Sequence, residues 1–258
     1  TTASTQHKTV VYVHLNGLPS FASLCSEGGA AFNGNHMWFC VGSATNDIFA
    51  HEYAHSIGHF KNYNPDGTFN SMINQGESGA LQESLSDVFG EIFERKITSS
   101  NNWVFGLEGN LPQTAKRNLM DPKQNSYKAT GESPETLYPD RYNDSDFFCG
   151  TENLGGVHFN STVPSKAAYL AAEGGEFNGC NIQGIGIDKV EQILYRAYAH
   201  YFTLSETFNM AYNSISLACD DFSADPESLT HLNPPLLISA EDCENIKKAF
   251  QAVEMDLA

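Results

Sequence analysis

Positive charge is scarce in this chain of 258 residues: 14 Lys and Arg stand against 31 Asp and Glu, a net charge of −17 at pH 7. Such a surface repels phosphate backbones and argues against nucleic-acid partners. Also missing is any run of about 18 apolar residues, so no membrane-spanning helix is expected. The opening residues, Thr1-Thr2-Ala3-Ser4-Thr5, hold neither a basic n-region nor an apolar h-region, and any targeting segment is expected to have gone. Cysteine is limited to six residues with no C-x-x-C pair, which argues against a cysteine zinc site. Their even number suggests disulfides and an oxidising, extracellular setting, and the sequons Asn143-Asp144-Ser145 and Asn160-Ser161-Thr162 lean the same way. Several connectivities satisfy the count. Pairing of sequence neighbours, Cys25–Cys40, Cys149–Cys180 and Cys219–Cys243, closes modest loops and is the expectation.

The length fits one enzyme-sized body. Thr9 to His14 and Met37 to Val41 suggest strands of a small N-terminal β element. Asp47 is placed to cap a helix over Ile48 to Phe60, and Leu81, Leu85, Val88, Phe89, Ile92 and Phe93 mark the apolar face of a second helix. From about residue 98 to 157 the periodicity fades, which predicts a long irregular excursion. Helices are then expected over Pro164 to Glu173, Val190 to Tyr201, Ser205 to Asp221, and from Ser239, where Ser239 and Asp242 have capping-box spacing. The fold class is therefore α+β: a reduced β-rich lobe with the first central helix over residues 1–60, and a mainly helical lobe over residues 61–258.

His51-Glu52-Tyr53-Ala54-His55 is an H-E-x-x-H sequence. On a helix its two histidines sit one turn apart and both imidazoles reach one ion, with Glu52 beside them as general base. A catalytic zinc needs a third protein ligand and a position left for water. Glu83 and Asp87, four residues apart on the second helix, can divide that work: Glu83 as the third ligand, and Asp87 as acceptor for the free N–H of a ligand histidine.

The stretch Ser78-Gly79-Ala80-Leu81-Gln82-Glu83-Ser84-Leu85-Ser86-Asp87 resembles the one in which the thermolysin family carries its glutamate ligand and supporting aspartate. Asn153-Leu154-Gly155-Gly156-Val157-His158 is similar to the family's active-site histidine segment, and Arg117-Asn118-Leu119-Met120-Asp121-Pro122 to the segment whose arginine binds a substrate carbonyl. Further matches, Gly184 to Val190 and Lys248 to Val253, extend the resemblance over roughly residues 29 to 255. The resemblance implies a secreted zinc endopeptidase acting on peptides or proteins. Zinc would be held by His51, His55 and Glu83, Asp87 would support a ligand, and His158 would stabilise the oxyanion with Asn153 orienting it. Arg117 would bind a carbonyl, and Ile48 would line a pocket for an apolar residue after the cut. It also places Asp47, Glu94 and Glu108 where relatives collect carboxylates around calcium; Asn102 and Val104 replace further carboxylates, so at most one ion is expected.

Two departures accompany the resemblance. The family's transition-state tyrosine falls near Asn74, leaving Tyr63 as the substitute or the contact missing. Only about fifty residues precede His51, so much of the upper cleft wall is expected to be absent, with one short strand within Gly29 to Phe39 left to hold substrate. A zinc-containing binding protein on a degenerate protease scaffold is the alternative; the intact Glu52 favours the enzyme. No motif for capturing a peptide terminus, as an exopeptidase needs, is visible.

Overall fold

The structure, a computed structural model of the chain, describes residues 9–15, 18–27, 29–34, 36–60, 62–63, 69–109, 111–112, 115–128 and 135–258. Strand β1 (Val10–Tyr12) leads to a short helix, α1 (Ala22–Glu27), and then to β2 (Ala30–Asn33) and β3 (His36–Phe39). β3 is the middle strand of this three-stranded sheet, parallel to β1 and antiparallel to β2. Alternation along β3 sets which face is inward: Met37 and Phe39 are fully buried, while the rings of His36 and Trp38 stack on the other face. β2 lies within the stretch Gly29 to Phe39 where a short strand is expected, although its own Ala-Ala-Phe-Asn carries no period-two pattern.

Helix α2 (Asn46–His59) and helix α3 (Gly76–Thr98) form the centre. Asp47 is not the cap of α2. Thr45 holds that position, and Asp47 sits in the first turn, accepting from the Thr45 hydroxyl through Oδ1 and from Gly106 N through Oδ2. The two helices nearly touch at Gly90, where a Cβ would lie 2.7 Å from the Asp47 carbonyl oxygen. Between them β4 (Asn62–Tyr63) pairs with β5 (Phe69–Asn70).

The excursion expected to be irregular contains two small ladders: β6 (Val104–Phe105) with β7 (Arg117–Asn118), and β8 (Ser126–Tyr127) with β9 (Thr136–Leu137). Each strand has two residues, too few for a hydrophobic period to show in sequence. α4 (Glu152–Asn160) and α5 (Thr162–Glu173) follow, then a hairpin of β10 (Gly174–Phe177) and β11 (Cys180–Gln183), then α6 (Ile187–Arg196), α7 (Phe208–Ala224) and α8 (Ala240–Ala252). The last helix starts in the capping box predicted from Ser239 and Asp242. One continuous core joins Phe39 and Ile48 to Leu85, Val88, Ile193 and Phe250. The architecture is α+β with a helical C-terminal part, and among the described residues no helix is long and apolar enough to cross a membrane.

Cys25–Cys40 and Cys219–Cys243 are bonded as expected. The third expected pair is not: Cys149 and Cys180 are free. Cys149 is exposed in the segment before α4 with its thiol directed at the Phe147 carbonyl, whereas Cys180 starts β11 in register with Phe177, so closeness in sequence order does not bring them together. The Asn160 sequon is also inaccessible, since its side chain is buried and both ends of the amide bond the backbone of Phe148.

Candidate metal centre

α2 and α3 run past one another so that residues one turn apart meet in rungs. His55 stands opposite Glu83, His51 opposite Asp87, and Asp47 opposite Glu91. The first two rungs form the centre. His51 Nε2 and His55 Nε2 face each other at 3.1 Å, and Glu83 closes the triangle, with Oε2 at 3.5 Å from His51 Nε2 and Oε1 at 3.7 Å from His55 Nε2. A tetrahedral ion with bonds of about 2.0–2.2 Å spaces its ligand atoms by about 3.3–3.6 Å, so the three donors fit zinc. Among the described residues these three are the set whose donor atoms converge in this way.

The surroundings favour a positive charge at that point. Glu83 Oε2 is buried with no hydrogen bond of its own. Burial alone would raise the Glu83 carboxyl, but His158, His55 and His51 hold it well below the usual carboxylate range. Burial likewise works to lower His51, yet Asp87 and Glu83 outweigh it and lift the imidazolium to about 10. Burial holds His55 down to about 4, leaving a neutral ring suited to ligation. The nitrogens turned away from the triangle face polar groups: His51 Nδ1 lies 2.8 Å from Asp87 Oδ1, and His55 Nδ1 lies 3.2 Å from Ser86 Oγ.

Glu52 points into the cleft beside this triangle, where two cavities meet. Burial, with repulsion from Glu83, pushes its carboxyl up to about 7. The larger cavity, about 400 Å³, lies along β2 and is lined by Phe32, Asn33, His59, Asn74 and the metal-centre residues. β2 is an edge of its sheet, with its free side on this cleft. Asn74 thus occupies the cleft wall, while the Tyr63 side chain lies outside the described residues. The smaller cavity, about 230 Å³, is largely apolar and holds Ile48, Phe105 and Leu111.

Arg117 is buried and committed to Asp87, donating from Nε and Nη2 at 2.6 and 2.7 Å. Its face also lines the smaller cavity. His158 is brought to the centre by a backbone of unusual shape. The nine-residue α4 holds two turns of opposite hand, because Asn153, Leu154, Gly155 and Gly156 all have positive φ. The two glycines adopt this freely, whereas asparagine and leucine do so at a cost. Asn153 Oδ1 accepts from the His158 backbone N at 2.8 Å and lies 3.0 Å from His158 Nδ1; Nε2 then faces Glu83 Oε2 at 3.3 Å.

Several residues here escaped the sequence reading. Phe105 is opposite Arg117 in the β6–β7 register, its ring 4.6 Å from that of His51 and 4.5 Å beneath the guanidinium. Tyr138 is fully buried near Arg117, and burial pushes its hydroxyl up to about 12. Glu91 is a third buried acid on the stripe of Glu83 and Asp87; i, i+4, i+8 spacing marked it, but its neighbour Asp47 comes from another helix. Of the expected calcium carboxylates, Asp47 and Glu94 are buried near Glu91, and Glu108 is exposed. They do not converge as the zinc donors do.

The thermolysin metallopeptidase α-helical domain matches residues 71–232. Neutral protease B of Bacillus subtilis (strain 168) is 32% identical over 235 residues, covering 87% of this chain and 36% of that protein. A thermolysin of Alicyclobacillus acidocaldarius is 30% identical over 224 residues, covering 86% of this chain and 35% of its own length. The chain therefore spans about a third of these relatives (36% and 35%). Among solved structures, the precursor of protealysin, a metalloproteinase from Serratia proteamaculans, has the same fold with a TM-score of 0.60, at 21% identity over 88% of this chain and 65% of that one.

Proposed function

This chain belongs to the thermolysin metallopeptidase family, and from that premise we propose that it is a zinc-dependent endopeptidase. The observation that carries the reading is the convergence of His51, His55 and Glu83 at zinc spacing with Glu52 in the cleft beside them. Bound there, zinc would polarise the scissile carbonyl and acidify a water. Glu52 is the base that takes the proton from that water and returns it to the leaving amine; a carboxyl raised toward neutrality suits both transfers. Asp87 holds the His51 ring and anchors Arg117, so the ligand and the substrate-facing guanidinium are set by one carboxylate.

His158 meets the developing oxyanion through Nε2. The backbone N–H that Asn153 Oδ1 accepts fixes the amide oxygen toward the ring, so Nδ1 carries a proton and only the imidazolium also has one at Nε2. Peptides lie along the free edge of β2 by strand addition, with the residue after the cut entering the apolar cavity over Ile48. A hydrophobic residue is preferred there. The substrates are peptides or proteins in the extracellular space, consistent with two disulfides. Residues 1–60 form the smaller lobe and residues 61–258 the larger. One calcium ion, bound near Asp47 and Glu94 with Glu108 at the rim, relieves their mutual repulsion.

Cleavage of a denatured protein by the purified chain, with and without a zinc chelator, tests this reading when the cut sites are mapped. Chelator-sensitive cuts before apolar residues are expected. Absence of cleavage at stoichiometric zinc would leave a binding protein instead.

A further inference from the structure

The Cys25–Cys40 disulfide takes no part in the chemistry above, yet it lies behind one wall of the apolar cavity. Ile48, Phe105 and Leu111 come from α2 and the β6–β7 region; of the remaining apolar lining Leu24, from α1, is the one large side chain, with Gly29 beside it, and Ala30 and Ala115 add only methyl groups. α1 has only six residues, and a helix of that length does not hold itself in water. Its position depends on attachments. Cys25, next to Leu24, is bonded to Cys40, which is buried at the end of β3 directly after the core residue Phe39. The return from α1 is fastened to the same point: Gly29 N donates to Leu24 O at 2.9 Å, Cys40 N donates to Gly29 O at 2.6 Å, and Ser43 Oγ donates to the carbonyls of Gly29 and Cys40. Gly29 has φ +83°, and a Cβ there would lie 3.0 Å from Cys40 Cβ, so the turn leaves no room between the cavity wall and the disulfide.

We propose that Leu24 is the specificity-determining side chain of the cavity that receives the residue after the cut, and that the Cys25–Cys40 disulfide is its positioning element. The inference rests on the peptidase reading above. A closed apolar wall on a rigid tether rewards an aliphatic or aromatic side chain, whereas a loose α1 leaves that side chain facing water. The disulfide therefore acts on substrate choice and affinity, not on the metal or on proton transfer.

Leu24→Ala and the double variant Cys25→Ser/Cys40→Ser are compared with the native, zinc-loaded chain on peptides differing only in the residue after the cut, Gly, Ala, Leu or Phe. In both variants the ratio of kcat/KM for the Leu peptide to that for the Gly peptide should fall about tenfold, with the change in KM rather than kcat. Native selectivity in Leu24→Ala overturns the inference. If the double variant loses activity on every peptide and melts early, it reports unfolding, and Leu24→Ala, which keeps the bond, decides alone. Binding of the dipeptides Leu-Ala and Gly-Ala, followed by NMR titration of the same proteins, needs no turnover. A native chain that prefers Leu-Ala, and loses the preference in Leu24→Ala, upholds the inference even if no peptide is cut, in which case only the peptidase reading fails. A native chain that does not distinguish the dipeptides overturns the inference itself.

Discussion

Asp87 accepts two hydrogen bonds from Arg117, at 2.6 and 2.7 Å, and neither residue is open to solvent. The same carboxylate lies 2.8 Å from His51 Nδ1, so one buried acid neutralises a guanidinium and would orient His51 toward a bound metal. Asp87→Asn keeps the shape and removes the charge. Leaving Arg117 buried and uncompensated should cost about 3–5 kcal/mol of stability. Loss of the support behind His51 should weaken zinc by about 10–100-fold. Denaturant unfolding and competition for zinc with a chromophoric chelator measure the two effects. Zinc affinity equal to that of the native chain would remove Asp87 from the metal centre.

On the proposed mechanism, Glu52 should separate metal binding from turnover. Glu52→Gln should keep stoichiometric zinc and lose most peptide cleavage, about 100-fold or more. Its carboxyl is raised to about 7 in the folded chain, from an ordinary value of 4.5, by burial first and by Glu83. A raised acid contributes stability below its unfolded value and loses it as pH rises through the folded one. In chain stripped of zinc, that loss reaches roughly 3 kcal/mol by pH 8. Glu52→Gln stays neutral, so its melting temperature should exceed the native value at pH 8, and the excess should shrink away only as pH falls below the unfolded value of 4.5. Equal melting curves at pH 8 would show that Glu52 ionises there without penalty.

How far the sequence carries can be traced along the rungs between α2 and α3. His51, His55, Glu83 and Asp87 are legible because helical spacing puts each pair on one face, while the choice of Glu83 as third donor and Asp87 as the supporting acid is what the resemblance to the thermolysin family implies. The third rung is not legible in the same way: Glu91 follows the spacing, but Asp47 reads as a cap until Thr45 and Gly106 are seen to claim its oxygens. Phe105 reaches His51 and Arg117 only through a two-residue ladder, a long-range pairing without periodicity. Cys149 and Cys180 failed for the opposite reason, since nearness in sequence order stood in for nearness in space.

On the proposed mechanism, Asn153 decides which form of His158 can work. Its amide oxygen engages Nδ1–H, so the neutral ring presents a bare Nε2 to the cleft and only the imidazolium donates to an oxyanion. Burial and Arg117 lower His158, against the pull of Glu83, so the working form is lost as pH rises. Asn153→Asp adds a negative charge at that nitrogen and favours the imidazolium. The alkaline limb of the pH profile of kcat/KM should move to higher pH, with the acid limb unchanged. A profile that does not move would mean that His158 acts in its neutral form, or not at all.

Calcium is expected to act on the third rung, where Asp47, Glu91 and Glu94 are close enough to repel one another. Glu94 is raised by burial and by repulsion from Asp47 and Glu108, and Glu91 is raised well above the carboxylate range by burial and by Asp47 and Glu94. Both have a buried oxygen, Oε1, without a hydrogen bond. A raised carboxyl favours the folded chain while protonated and destabilises it as pH rises through the folded value, so these acids should weaken the calcium-free protein on the alkaline side. An ion needs them ionised and repays their repulsion, so its effect should grow in the same direction. The melting temperature in millimolar calcium should therefore exceed that in a calcium-selective chelator, by more at pH 8 than at pH 5. Glu94→Gln should abolish the difference while leaving zinc in place, because it touches no residue of the metal centre. Glu91→Gln separates the two sources of the effect: it removes one repulsive charge, and should raise the alkaline stability of the calcium-free chain while reducing the gain from calcium. Melting temperatures that do not respond to calcium at pH 8 would show that the rung is held by protonation alone.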